Sequence, residues 1–250
     1  SGHCSKEIVI DKRGTPQRNG VEVYTTKYTY SDDGRNVMTS KTEDNGSRIE
    51  YRYDVKGSSL LTAKIILWHN EIKERMLYSY DGDGCLVAVT KDAGGTRDIG
   101  KVNGVARRVI RRIKPSKAME SFGKPHVVEE YCYSKKNRSE ELLKKTVYHY
   151  DKRGLLAKKE FFDKNKKLRY HVSWQYDGRR RPAKEQDSRG TTRVFGYDAN
   201  NNLTFVQGPN FALKTYHTYD FANRRVSTRE VHTGGREQSV TYRYDYNGNK

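Results

Sequence analysis

The sequence predicts an all-β chain in which tandem hairpins lie side by side as a long, curved antiparallel sheet, broken by one basic insertion. Three observations predict it. A unit of the form aromatic-x-Tyr-Asp-x-x-Gly-x-x-apolar recurs along the 250 residues. Its Asp or Ser anchors are spaced 17 to 27 residues apart, apart from one gap of 53. Turn-forming residues also lie between the copies, so each copy reads as strand, turn, strand, turn. A period a little over twenty residues belongs to stacked repeats and not to a single compact core.

The copies follow in order. A degenerate first copy is Ile8-Val9-Ile10-Asp11 with Gly14. Tyr28-Thr29-Tyr30-Ser31 with Gly34, Tyr51-Arg52-Tyr53-Asp54 with Gly57, and Tyr78-Ser79-Tyr80-Asp81 with Gly84 come next. Beyond the gap stand Tyr131-Cys132-Tyr133-Ser134 with Asn137, and Tyr148-His149-Tyr150-Asp151 with Gly154. Trp174-Gln175-Tyr176-Asp177, Phe195-Gly196-Tyr197-Asp198 with Asn201, His217-Thr218-Tyr219-Asp220 with Asn223, and Tyr242-Arg243-Tyr244-Asp245 with Gly248 complete the series.

Each part of the unit has a physical reason. Aromatic-x-Tyr is period-two alternation, placing two rings on one sheet face. Residues between the rings, such as Thr29, Arg52, Ser79, His149, Gln175, Thr218 and Arg243, suit a solvated opposite face. Asp at the first turn position accepts backbone N–H bonds, and Gly at the fourth takes positive φ without a Cβ clash. Asn137, Asn201 and Asn223 replace that Gly, and Asn is the next residue to tolerate the left-handed region. Arg180 breaks the rule. Gly178 directly after Asp177 suggests a tighter turn there. Second turns read at Asp44-Asn45-Gly46, Asp187-Ser188-Arg189-Gly190, Gly208-Pro209-Asn210 and Gly234-Gly235. Adjacent copies are expected to bring their tyrosines into cross-strand ladders.

Composition sets the frame for this sheet. Leu, Ile, Val and Phe make up under one fifth of the chain, and the net charge is +18. Alone, those values warn of disorder, but 19 tyrosines argue for order. The organisation reads as repeats over 1–91, a basic insertion over 92–126, and repeats over 127–250. Within residues 101–125, Lys101, Arg107, Arg108, Arg111, Arg112, Lys114, Lys117 and Lys124 are opposed only by Glu120. Arg107, Arg108, Arg111, Arg112 and Lys114 are therefore the candidate contact residues. Val105, Val109 and Ile113 suit one face of a short basic helix ended by Pro115. A strand pair with a basic loop fits the same residues.

The Tyr-Asp units closely resemble the Rhs/YD-repeat family, over nearly the whole chain outside the insertion. That family includes bacterial Rhs polymorphic toxins, wall-associated proteins, cocoon-forming subunits of insecticidal Tc toxin complexes, and animal teneurins. The resemblance implies a sheet that spirals into a hollow shell around a C-terminal toxin domain, or an adhesion ectodomain in teneurins. A core motif of the kind that ends such shells is not found here, nor an N-terminal trafficking domain, and Asn247-Gly248-Asn249-Lys250 lies within a repeat. The expected object is an open shell segment of a larger protein. On the family's precedent it would be secreted or at the cell surface, although the sequence contains neither a signal peptide nor an apolar run long enough to span a membrane.

Chemistry is sparse. The motifs H-E-x-x-H, G-x-x-x-x-G-K-[ST] and G-x-S-x-G are absent. Ser58 and Ser59 fall in a repeat turn, His149 and His217 in repeat strands, and His3-Cys4 lacks further ligands nearby. Cys4, Cys85 and Cys132 are too scattered for a disulfide framework. Asp54, Asp81, Asp151, Asp177, Asp198, Asp220 and Asp245 share one turn slot, which the fold explains without catalysis. The expectation is a non-enzymatic segment without metal or cofactor. The residues that carry it are Tyr30, Tyr53, Tyr80, Tyr150, Tyr176, Tyr197, Tyr219 and Tyr244, those turn aspartates, and Gly57, Gly84, Gly154 and Gly248. Its expected partners are the rest of the shell and an enclosed toxin domain. Alternatives are a glycan-binding adhesion module and a basic surface for polyanions or nucleic acid. Open sheet edges also allow self-association.

Overall fold

A computed structural model describes residues 3–11, 22–54, 57–98, 101, 105, 108–134, 139–209 and 212–249. Among the described residues the chain is all-β, with 18 antiparallel strands in one open sheet. The strands are β1 (Lys6–Asp11), β2 (Glu22–Tyr30), β3 (Met38–Glu43), β4 (Ser47–Tyr53), β5 (Leu61–Trp68) and β6 (Glu71–Tyr80). They continue as β7 (Leu86–Asp92), β8 (Arg108–Pro115), β9 (Pro125–Ser134), β10 (Ser139–Tyr150), β11 (Leu156–Phe162) and β12 (Leu168–Tyr176). The last are β13 (Pro182–Asp187), β14 (Thr192–Tyr197), β15 (Leu203–Gln207), β16 (Leu213–Tyr219), β17 (Arg225–His232) and β18 (Glu237–Thr241). Strands adjacent in sequence pair with one another, as at β4–β5, β5–β6, β13–β14 and β16–β17. The chain divides into two compact units, Ser1–Lys117 with Phe122–Lys145, and Thr146–Lys250 with Ala118–Ser121.

The repeat turns at Asp81, Asp151, Asp177, Asp198, Asp220 and Asp245 share one construction, while those at Ser31 and Asp54 are two residues longer and close on the carbonyls of Val37 and Leu60. In Asp81–Cys85 the N–H of Gly84 donates to the Asp81 carbonyl at 3.0 Å, and the N–H of Asp81 donates to the Cys85 carbonyl at 2.9 Å. Gly84 has φ +75°. A type I turn followed by a left-handed residue leaves a one-residue bulge, and the register shifts between Ser79 and Tyr80. The same shift precedes Tyr30, Tyr53, Tyr176, Tyr197 and Tyr219. The Asp carboxylate then locks the turn. One oxygen of Asp151 accepts from the N–H groups of Arg153 and Leu155, each at 2.9 Å. Asp177, Asp198 and Asp220 repeat this pattern with the residues two and four further on. Asp163 and Asp187 build the same lock in turns between copies.

Asn201 and Asn223 take φ +70° and +60° in the left-handed slot. The turn at Asp177 is not tighter than the others. Arg180 itself adopts φ +66°, and its N–H donates to the Asp177 carbonyl at 3.1 Å. The hairpin fixes the geometry, and Arg180 complies at the cost of Cβ crowding, roughly 1–2 kcal/mol. Asn137 lies outside the described residues.

The helix compatible with 105–113 does not form. Arg108–Pro115 is β8, paired with β7 and β9. Nor is the face opposite the tyrosines uniformly solvated. In the first unit the deepest apolar side chains, Ala63, Ile65 and Leu67, are at most 1% exposed. They share a face with Arg52, Glu50 and Arg48, not with Tyr51. The chain after β7 covers this face. Val105 is buried, and Arg97 reaches Glu50 at 3.2 Å.

Replacing Arg180 by Gly relieves the left-handed crowding. Even after the added entropy of the unfolded chain, Arg180→Gly is expected to stabilise by about 0.5–1 kcal/mol. A raised urea midpoint at unchanged m-value is the readout; an unchanged or lowered midpoint contradicts the strain assignment.

Candidate functional site

The recurrent tyrosine has a defined partner. Tyr53 Oη donates to the Met38 carbonyl at 2.9 Å, and Met38 is the register partner of Tyr30. Tyr80 Oη donates to Leu61, the partner of Tyr53, at 3.0 Å. In the second unit Tyr197 donates to Pro182, Tyr219 to Leu203, and Tyr244 to Arg225, at 2.8 to 3.0 Å. These acceptors pair with Tyr176, Tyr197 and Tyr219 respectively. Tyr176 donates to Leu156 at 2.9 Å and Tyr30 to Cys4 at 3.0 Å. The phenols of Tyr53, Tyr80, Tyr197, Tyr219 and Tyr244 thus each bond the bulge of the copy before.

This replaces the expected ring-on-ring ladder. Tyr30 and Tyr53 lie on β2 and β4, with β3 between them. Two strand spacings are roughly 9.5 Å, too far for direct cross-strand stacking, whereas the acceptor Met38 lies on β3, one spacing from Tyr53. Burial holds Tyr53, Tyr80, Tyr150, Tyr176 and Tyr197 above the ordinary phenol range, which favours the neutral donor form.

Arginines add a second set of links along the turns. Arg181 Nε donates to the Asp177 carboxylate at 2.7 Å, while Nη1 donates to the Asp198 carbonyl at 2.9 Å. Its guanidinium stands 4.6 Å from the centre of the Tyr197 ring. Arg153 likewise bonds Asp151 and the Asp177 carbonyl, and Arg35 bonds Asp33 and the Asp54 carbonyl. Arg224 bonds Asp220 and lies 4.9 Å from the Tyr244 ring. Asp151, Asp163, Asp177 and Asp220 are held below the usual carboxylate range, first by the backbone N–H four residues on.

The insertion is anchored by a buried ion cluster. Arg75 and Asp92 are both fully buried, joined at 2.8 Å from Nε and 3.2 Å from Nη2. Arg108 closes on Asp92 at 2.7 Å. The remaining Arg75 donors hold the carbonyls of Thr96, Asp98 and Lys101. Gly94 passes so close that a Cβ there would fall onto the Arg75 guanidinium. Burial raises the Asp92 carboxyl, but the bonds and charges of Arg75 and Arg108 outweigh it and hold it below its ordinary value.

The candidate contact residues are distributed as follows. Arg108 belongs to this cluster. Arg111 pairs with Glu130 at 3.1 Å. Arg112 pairs with Glu140 at 2.6 Å and sits 4.7 Å from the Tyr131 ring. Lys114 is exposed on β8, and Arg107 lies outside the described residues. Nearby, Lys117 bridges Asp81 and Asp83. The carboxylates come from flanking strands and turns, so a count confined to 101–125 misses them. Among the described residues no group of His, Cys, Asp and Glu is arranged to hold a metal, and no helix is long and apolar enough to cross a membrane.

No protein-family model matches the sequence, and no curated protein matches it. The fold is similar to part of the crystal structure of TcdB2-TccC3-TEV, with TM-score 0.53 and 11% identity over 99% of this chain and 14% of that one. The crystal structure of TcdB2-TccC3 matches over 87% of this chain and 16% of that one, at TM-score 0.39 and 10% identity. A Photorhabdus luminescens Tc holotoxin pore matches over 94% and 18%, at TM-score 0.39 and 9% identity. The chain therefore spans less than a fifth of the length of each of these structures.

The cluster around Asp92 has a pH signature. Its folded-state value lies below the unfolded one, near 3.9, so its stabilisation is complete above about pH 4 and is lost as pH falls through the folded value. At neutral pH, Asp92→Asn is expected to cost roughly 3–5 kcal/mol, because two guanidinium groups lose their counter-charge. Urea unfolding at pH 7 and pH 3 measures both effects. A variant as stable as the parent at pH 7 contradicts the role assigned to this cluster.

Proposed function

We propose that the chain is a structural segment of an Rhs/YD-type shell, acting by enclosure and not by catalysis. The observation that carries this reading is the copy-to-copy bonding. Tyr53, Tyr80, Tyr197, Tyr219 and Tyr244 each bind a bulge carbonyl of the previous copy, so the sheet is fastened copy to copy along its length. The fold similarity to TcdB2-TccC3-TEV supports the same reading. The conspicuous residue types of the chain, its tyrosines, turn aspartates and many arginines, are engaged in holding strands and turns together. An enclosing wall requires this and a catalytic surface does not.

In this reading the partners are the neighbouring repeats of a longer shell and a cargo domain inside it, exported from the cell with its container. The insertion, clamped to the sheet by Arg75, is a fixed fitting of the wall. Polyanion binding is the weaker reading, because Arg108, Arg111 and Arg112 already face carboxylates of their own chain.

The test is protease protection in the complete gene product. A domain C-terminal to the repeats should resist digestion while the shell is native, and should be cut at the rate of the isolated domain once the shell is opened by acid. Equal digestion rates in both states, or a complete gene product with no further domain, contradict enclosure.

A further inference from the structure

In the first unit two neighbouring hairpin tips meet, and together they surround an Asn-Gly pair. The β3–β4 tip is Asp44-Asn45-Gly46, with Gly46 at φ +89°. The β5–β6 tip is His69-Asn70, two residues with side chains held at φ +46° and +66°. Such backbone is uncommon away from glycine and collects at functional positions. The His69 N–H donates to the Gly46 carbonyl at 2.9 Å. The His69 ring lies directly on Gly46, where a Cβ would fall 2.6 to 3.1 Å from three of its atoms. Trp68 stands edge-on to the same ring, with centres 5.1 Å apart.

The Asn45 side chain is held at both ends. Its Oδ1 accepts from the Ser47 N–H at 2.8 Å. Its Nδ2 donates to Glu43 Oε2 at 3.3 Å. The Gly46 N–H reaches the Glu43 carbonyl at 3.3 Å. That is beyond the usual N–H···O range, so the proton is loosely held. Asn45 is exposed, which admits water.

We propose that Asn45 is a self-modification site, converted within the folded chain to aspartate and isoaspartate through a cyclic imide. The Gly46 nitrogen attacks Cγ of Asn45, and a new N–Cγ bond closes the ring. His69 takes the proton from the Gly46 N–H. Negative charge develops on Oδ1, where the Ser47 N–H already points. The Cγ–Nδ2 bond then breaks, and the nitrogen leaves as ammonia with the proton returned by His69. Glu43 fixes the orientation of that leaving nitrogen. Water adds to one of the two imide carbonyls and reopens the ring, so no oxidant or cofactor is consumed. Glycine at 46 is required, because a Cβ there would push the imidazole away. The product carries a new negative charge beside Glu43 and Asp44, and isoaspartate adds an atom to the backbone of the tip. Both changes oppose the seating of Gly46 under His69. The proposal stands independently of enclosure.

The same dipeptide at Asn247-Gly248 is the internal comparison. There the Gly248 N–H donates to the Asp245 carbonyl at 3.1 Å, and a Cβ on Gly248 would meet nothing within 4 Å. The experiment is peptide mapping by mass spectrometry of the whole chain, incubated at neutral pH in buffer and in concentrated urea. It reads the exchange of NH for O at each asparagine, and isoaspartate by enzymatic methylation. In the folded chain Asn45 should convert about tenfold or more faster than Asn247. In urea only the shared Asn-Gly sequence acts, and the two rates should agree within about twofold. His69→Phe keeps a ring over Gly46 and removes the base. With an unchanged circular dichroism spectrum, it should slow Asn45 by about fivefold or more and leave Asn247 unaffected. The proposal is overturned if folded Asn45 converts no faster than Asn247, or no faster than it does in urea. It is also overturned if Asn45 converts as fast in His69→Phe as in the parent.

Discussion

The structure depends on one hydrogen bond made again and again, from a tyrosine phenol to the bulge carbonyl of the copy before it. A backbone carbonyl at a bulge lacks its regular ladder partner, and a buried polar group without a partner is costly. The phenol satisfies that group on the neighbouring strand, which is the strand that separates one recurrent tyrosine from the next. The turn, the bulge and the tyrosine therefore form one device. Asp locks the turn, the turn creates the bulge, and the bulge presents the acceptor. This explains how a chain with under one fifth Leu, Ile, Val and Phe can order an 18-stranded sheet.

The high charge has a related explanation. Arg35, Arg153 and Arg181 each bind an acidic residue of their own turn and a carbonyl of the following one. Arginine suits this work because its planar fork serves two acceptors at once and its face packs on a ring. Part of the +18 is thus fastening, laid along the turns. Inside the insertion the same chemistry is buried. Arg75 holds three loop carbonyls and Asp92, and so converts a gap in the repeats into a cover over β5–β7.

Much of this was legible in the sequence where the cause is local. Asp-x-x-Gly specifies its turn within a few residues, and aromatic-x-Tyr specifies a strand face. Where the cause is distant, the reading failed. The tyrosines suggested ring ladders because their separation by a full strand is a property of topology. Arg180 looked incompatible with the shared turn because side-chain preference was weighed without the hairpin that overrides it. His69 and Asn70 form a two-residue turn with φ +46° and +66°, and no Gly marked it. The basic stretch looked unopposed because Asp92, Glu130 and Glu140 lie outside it, and the apolar spacing of Val105, Val109 and Ile113 served a helix as well as a strand.

The central claim is that phenol–carbonyl bonds join the copies, and one comparison addresses it directly. Tyr176, Tyr197 and Tyr219 are changed together to Phe, which keeps the rings and removes the donors, and urea unfolding is measured beside Tyr216→Phe, whose phenol is outside the series. At about 1 kcal/mol for each bond, with near-additive losses, the triple variant should be destabilised by roughly 3 kcal/mol while Tyr216→Phe stays within about 0.5 kcal/mol of the parent. A triple variant as stable as Tyr216→Phe would show that ring packing alone holds the sheet, and would contradict the account.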